Sequence, residues 1–279
     1  MKKQAALVQL HLGALLLGGS ALLPRFVHLP TDQLVLLRST IAAALLFALA
    51  AISREQLLPR SRRDALWILT CSLLLGLHWL TYFETIRIST VALASVCFYT
   101  FPVITVFLEP LFGRTRLHTG DIIAALIVLA GVALIARPGT GVSAEALTLG
   151  LACAVLMALR NVLYRHHLQD YPPIGTTGWQ FLIVSLALMP TLSPSALADY
   201  QSWWPAMLVF GVLFTAAPHV LFVSSMRALP AKSLGLVTSL MPLYATLFAW
   251  LLFHEFAGWN VMAGGVLIIG AAFYESFKT

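Results

Sequence analysis

Long apolar runs recur along the whole chain, separated by short polar or basic segments. Most are about 18–24 residues long, enough for a helix rising ~1.5 Å per residue to cross ~30 Å of hydrocarbon. Apolar residues within them are continuous rather than alternating, and the runs are too long for barrel strands. The pattern therefore predicts helices. Ten spans fall near 5–24, 31–52, 64–86, 89–112, 119–136, 145–168, 173–193, 203–226, 231–253 and 258–276.

The pattern also repeats. At an offset of 140 residues, Arg25 falls on Arg165, Arg87 on Arg227 and Pro102 on Pro242, without a gap. Residues 1–140 and 141–279 then form two copies of five spans each. Five is odd, so the second copy must enter the membrane the opposite way. Halves of this kind are related by an axis in the membrane plane, and their site lies between them. The expected architecture is an all-α integral membrane fold, with ten transmembrane helices as two inverted five-helix repeats around a central cavity. Exchanging the conformations of the halves would turn an outward-open cavity into an inward-open one.

Composition sharpens this. The 279 residues are 59% hydrophobic and 10% charged, against roughly 25% charged for a soluble domain. The net charge of +6 sits in short loops, so it reads as topology and attraction to anionic headgroups rather than nucleic-acid binding. With the N-terminus inside, cytoplasmic segments hold Lys2, Lys3, Arg54, Arg60, Arg62, Arg63, Arg114, Arg116, Arg165, Arg227, Lys232 and Lys278. Only Arg25, Arg87 and Arg137 fall in outer loops, while Arg38 and Arg160 sit within spans. This bias places both termini in the cytoplasm. Lys2-Lys3 before an apolar run mimics a signal peptide, but the repeat aligns that run with 145–168 and so retains it. Cys71, Cys97 and Cys153 lie inside apolar runs without metal-ligand spacing and read as small core residues.

Several segments together resemble the EamA-type branch of the drug/metabolite transporter superfamily, over nearly the whole chain. They are LLRSTIAAALLF with Arg38, the aromatic third span ending YFETIRIST, and the prolines of SVCFYTFPVITVFLEPLF and GLVTSLMPLYATLFAWLLFHE. TGWQF opens the seventh span and AGGVLIIGAAF forms the tenth. The resemblance implies ten helices, a cavity lined by spans one, three, four, six, eight and nine, and export of amino acids, other metabolites or drugs. The aromatic third and fourth spans are similar to the amino-acid exporting branch. One departure stands out: where the family often ends span four with Gly-Glu, this chain reads LFGRTR, and only the second copy keeps a glutamate, Glu255.

A charge at the bilayer centre is expensive, so such a residue would mark a site. Every acid avoids that position; Glu84 and Glu109 come nearest, each about one turn from a span end. The deep polar groups are softer: His78, Trp79 and Tyr82 in span three, Ser95 and Tyr99 in span four, Arg160 and Asn161 in span six, Trp179 and Gln180 opening span seven, and Pro218 and His219 in span eight. A histidine in a span more often bonds a neighbouring helix than carries protons, and Trp79 and Tyr99 divide evenly between cavity and packing roles. Trp67, Trp203, Trp204, Trp250 and Trp259 read as interface anchors. Arg38 reads as structural, bonding carbonyls between helices. The Gly-Gly pairs at 18–19 and 264–265 read as close helix contacts.

No protease, hydrolase or nucleotide-binding motif occurs, so neither an enzyme nor a pump driven directly by ATP is expected, and no cofactor or metal site is called for. The expectation is a secondary transporter of the bacterial inner (plasma) membrane, exporting amino acids or similar small metabolites. A multidrug or nucleotide-sugar-type carrier is the runner-up, and an intramembrane enzyme or a structural membrane protein the rival from another class. His78, Trp79, Tyr82, Tyr99, Asn161, Trp179 and His219 are the expected substrate contacts, with Pro102 and Pro242 as hinges. The partners expected are a small-molecule substrate and the lipid bilayer, in a monomer or homodimer. Reporter fusions after residue 60 should read cytoplasmic and fusions after residue 140 periplasmic; the opposite pattern rejects this topology.

Overall fold

The computed structural model describes residues 3–55, 57–112, 117–137, 141–192, 194–226, 229, 237–238 and 240–278. Arg227, the start expected for span nine and the GRTR stretch after Phe112 lie outside the described residues. All regular structure among the described residues is helical. Ten segments follow one another. Span one is α1 (Lys3–Ser20), continued after a short break by α2 (Leu23–Phe26). Spans two and three are α3 (Thr31–Ile52) and α4 (Arg62–Ile88). Span four is broken into α5 (Val91–Phe98) and α6 (Phe101–Phe112). Then come α7 (Thr119–Ile135), α8 (Ala144–His167) and α9 (Pro173–Leu188). Span eight is α10 (Pro194–Gly211), a π-helical turn at Val212–Ala216 and α11 (Ala217–Met226). α12 (Met241–Phe253) and α13 (Trp259–Lys278) complete the fold.

Six of these stretches are long and apolar enough to cross a membrane, and Thr119–Ile135, Met241–Phe253 and Trp259–Tyr274 are shorter apolar helices. The remaining one, α9, carries Thr176, Thr177 and Gln180, and all three are buried. Most of its length packs between protein neighbours, and Leu186 near its end is exposed. Helix starts carry their own acceptors: Ser61 accepts from the Asp64 amide at 3.1 Å, Thr90 from that of Leu93 at 3.0 Å and Ser143 from that of Ala146 at 3.1 Å. Such caps matter because the first amides of a helix have no partner within it.

The packing follows the repeat. α4 lies against α8 as α11 lies against α1; α6 against α8 as α12 against α1; α4 against α9 as α10 against α3. The contacts α3–α9, α5–α12 and α7–α13 map onto themselves when span n is exchanged for span n+5. The two sequence halves are thus interleaved. Polar contacts cross the seams, as where Ser39 Oγ of α3 meets Ser185 Oγ of α9 at 3.0 Å.

Glycine sets the closest approaches, as the Gly-Gly pairs suggest. A Cβ on Gly264 of α13 would lie 2.6 Å from the Gly131 carbonyl oxygen of α7, and one on Gly18 of α1 2.8 Å from Tyr244 Cβ of α12. Neither obstacle is a flexible side-chain tip. Gly264→Ala should therefore cost about 1–3 kcal/mol, the scale of core overpacking, and lower the unfolding temperature of the purified protein. Gly270→Ala, with nothing within 4 Å, should leave it unchanged. Equal behaviour of the two variants would contradict the close α7–α13 contact.

Candidate functional site

Proline supplies no amide and crowds the preceding turn, so a helix stops or bends near it. In span four the break falls at Tyr99 and Thr100, just before Pro102, and the Thr100 hydroxyl donates to the Cys97 carbonyl at 2.8 Å. In span nine, α12 begins at Met241 with Pro242 in its first turn. The two breaks meet: the Tyr99 hydroxyl donates to the Thr238 carbonyl. Span eight has its own irregularity. Pro218 cannot donate to the turn before it, and the Thr215 carbonyl within the π turn accepts from His219 Nδ1 at 2.6 Å.

A cavity of about 130 Å³ lies among these irregular segments. Its wall takes Leu17, Gly18 and Ser20 from α1, Arg38 from α3, Leu75, His78, Trp79, Tyr82 and Phe83 from α4, and Ser95 and Phe98 from α5. Tyr99 from the break, Met157 of α8, His219 of α11 and Met241, Pro242 and Ala245 of α12 complete it. One wall is aromatic: Phe98 lies 5.0 Å from the His78 ring, 5.8 Å from Tyr82 and 5.4 Å from Tyr99. The polar groups on it are anchored. His78 Nδ1 lies 2.9 Å from the Cys153 carbonyl, which can only accept, so the proton of the neutral ring sits on Nδ1. The same argument places the His219 proton on its Nδ1. The Tyr82 hydroxyl meets Ser95 Oγ at 3.1 Å.

Five of the seven expected contact residues, His78, Trp79, Tyr82, Tyr99 and His219, come together here, with Pro242. Asn161 and Trp179 do not. The Asn161 amide oxygen accepts from Arg160 Nη1 at 3.0 Å, and the Trp179 indole donates to the Leu57 carbonyl in the loop between α3 and α4. Pro102 shapes the break without lining the cavity. Trp204, Trp250 and Trp259 are exposed as anchors should be. Trp203 instead packs on the main core cluster and Trp67 stacks on His167 at 3.8 Å. Sequence reasoning missed Phe98, Phe83 and the α1 wall. The repeat held one usable signal, because Leu17 and Met157 are counterparts at the 140-residue offset, as are Trp79 and His219.

Arg38 differs most from expectation. It is 2% exposed and bonds no carbonyl among the described residues; its guanidinium carbon lies 4.5 Å from the Trp79 ring centroid and 4.9 Å from that of Phe83. None of the described residues lining the cavity is an acid.

Ion pairs tie both ends of the bundle. At one end Arg25 Nε lies 3.0 Å from Glu255 Oε2, and Glu255 Oε1 also accepts from the Val91 amide at the start of α5. Nearby, Thr31 donates to Glu84, and Arg87 donates to Thr31 at 3.2 Å. At the opposite end Arg165 Nη1 lies 2.6 Å from Glu109 Oε1, and the Tyr171 hydroxyl donates to Asp64 at 2.7 Å. Burial, the largest cause, holds the Tyr171 phenol above its ordinary pKa. Arg25 and Arg165 are repeat counterparts. Their glutamates are not: Glu109 stands six positions earlier in its copy than Glu255 does in its own. Glu109 thus supplies a carboxylate where LFGRTR lacks the family's glutamate.

Comparison with known proteins agrees with this architecture. The model of the EamA-like transporter family matches residues 4–137 and again 145–276. The uncharacterized transporter YxxF of Bacillus subtilis (strain 168) is 26% identical over 250 residues, covering 88% of this chain and 80% of that protein. The uncharacterized transporter YoaV of the same organism is 24% identical over 254 residues, covering 86% and 85%. One solved crystal structure superposes over 99% of this chain and 98% of its own at a TM-score of 0.66 and 21% identity, a likeness of fold alone. A family model matching both halves of the chain, on a helical bundle whose contacts repeat in the same way, means that this protein belongs to the EamA-like transporter family.

Proposed function

We propose that this protein exports amino acids or similar small metabolites across the bacterial inner (plasma) membrane by alternating access. The observation that carries the reading is the cavity itself, set where the broken helices of both halves meet, with a paired arginine and glutamate at each end of the bundle. Discontinuous helices near mid-membrane are where many secondary transporters bind their substrates. In the orientation favoured by the loop bases, Arg25–Glu255 is the periplasmic latch and Arg165–Glu109 the cytoplasmic one. Releasing one while the other holds opens the cavity to one side only. The aromatic wall suits the apolar part of a substrate, and His78, Tyr82 and Tyr99 supply hydrogen-bonding groups. A cavity of about 130 Å³ is well below the ~300–1,000 Å³ of drug-sized pockets, which favours a small metabolite.

The direct test is flux of the twenty amino acids in proteoliposomes. Saturable flux of at least one is expected. His78→Ala and Tyr99→Ala should each slow it about 5–10-fold, the scale of a lost hydrogen bond of ~1–1.5 kcal/mol. Glu84→Gln, which alters a group outside the cavity, should retain most of it. Flux of lipophilic drugs with none of any amino acid would favour the multidrug reading.

The latches have a separate readout. In a background with Cys71, Cys97 and Cys153 replaced, a cysteine at cavity position Ser20 reports access to an impermeant thiol reagent. Glu255→Gln should raise its labelling from the periplasmic side, and Glu109→Gln from the cytoplasmic side. Unchanged labelling in both variants rejects the latch assignment.

A further inference from the structure

We infer that Arg38 binds a carboxylate of the substrate in the central cavity, an inference that rests on reading this cavity as the transport site. Arg38 is buried in α3 and lines the cavity. Its Nε is enclosed and has no hydrogen-bond partner, and among the described residues no carboxylate lies within ion-pair distance. The Trp79 and Phe83 rings stabilise the cation but offer it no oxygen acceptor.

Arg160, the other arginine within the spans, provides the contrast. Its Nε and Nη2 donate to Gln180 Oε1 at 3.1 and 2.7 Å, and its Nη1 to Asn161 at 3.0 Å. That is how an arginine serving structure is satisfied inside this bundle. Arg38 has no such partner. Its repeat counterpart is Gly178, so the other half neither duplicates nor offsets the charge. A guanidinium stays protonated at any physiological pH and presents a planar fork that matches a carboxylate. The remaining demand at the cavity wall is therefore for a planar anion.

The same wall has a second consequence. With no acid among the described lining residues, an ammonium group gains no ion pair from them. Affinity should follow charge: an organic anion at least as tight as the matching zwitterion, and the cation weakest. Chloride or phosphate could occupy the same guanidinium, so free inorganic anions are the alternative source of the charge.

The experiment measures binding to purified protein by tryptophan fluorescence and thermal shift. The probes are two matched sets: propionate, alanine and alaninamide, then 3-phenylpropionate, phenylalanine and phenylalaninamide. Chloride and phosphate are titrated alongside. At least one carboxylate should saturate, with its amide at least tenfold weaker. Arg38→Gln should weaken that carboxylate at least tenfold and abolish the preference, and Arg38→Lys should recover part of it. Amides binding as tightly as carboxylates, or no carboxylate binding at all, would overturn the inference even if no Arg38 variant folds. So would Arg38→Gln lowering thermal stability while leaving carboxylate selectivity within twofold, the signature of a purely structural residue. Saturation by chloride or phosphate alone would overturn an organic substrate and leave an anion site. Carboxylate binding without flux would reject transport but not the site; flux with no preference for carboxylates would reject only the role of Arg38.

Discussion

Hydrocarbon offers no hydrogen bonds, so each backbone amide and carbonyl of a spanning segment must find its partner within the protein. Most of this chain meets that constraint with uninterrupted helix. Among the described residues the exceptions are few: the turn at Ala21–Leu22, the break at Tyr99–Thr100, the start of α12 beside Pro242 and the π turn at Val212–Ala216. Each is enclosed by other helices, and each is met from within the bundle. Tyr99 bonds Thr238, Thr100 bonds Cys97 and His219 bonds Thr215. Irregular backbone is tolerated at membrane depth only where protein or a cavity surrounds it, and the central cavity lies at these points.

Charge is sorted by the same constraint. The described acids sit at helix ends, where Asp64 and Asp121 help start helices and Glu109 and Glu255 pair with arginines. Among the described residues two arginines, Arg38 and Arg160, lie deep, and they are satisfied differently. Arg160 is held by two side-chain amide oxygens, while Arg38 rests against aromatic rings at the cavity wall. An aromatic cavity wall that carries the Arg38 guanidinium differs chemically from the neutral, hydrogen-bonding site expected from residue types alone.

The two arginine–glutamate pairs illustrate how a duplicated fold diverges. Exchange of the two halves carries Arg25 onto Arg165, yet their acidic partners stand six residues apart in register. An exposed ion pair contributes only about 0–1 kcal/mol, so selection has room to move a glutamate along a helix end while keeping its partner. Arg165 is largely exposed, whereas Arg25 and Glu255 are mostly buried and Glu255 also caps α5. The end held by Arg25 and Glu255 is accordingly the more firmly tied of the two.

The ten-span order, the internal repeat and the break near Pro102 were legible in the chain, because apolar run length and missing proline amides act locally; the start of span eight was not, since its helix begins at Pro194, nine residues before the expected 203. Five cavity residues were legible for a related reason: polar and aromatic groups deep in a span must face protein. The roles of Asn161, Trp179, Trp203 and Arg38 were not. Each depends on which helix lies opposite, and the α8–α4, α9–α3 and α10–α3 contacts join residues far apart in the sequence. Whether a deep guanidinium meets an amide oxygen, as Arg160 does, or only aromatic faces, as Arg38 does, is decided by that packing and by nothing in its own segment.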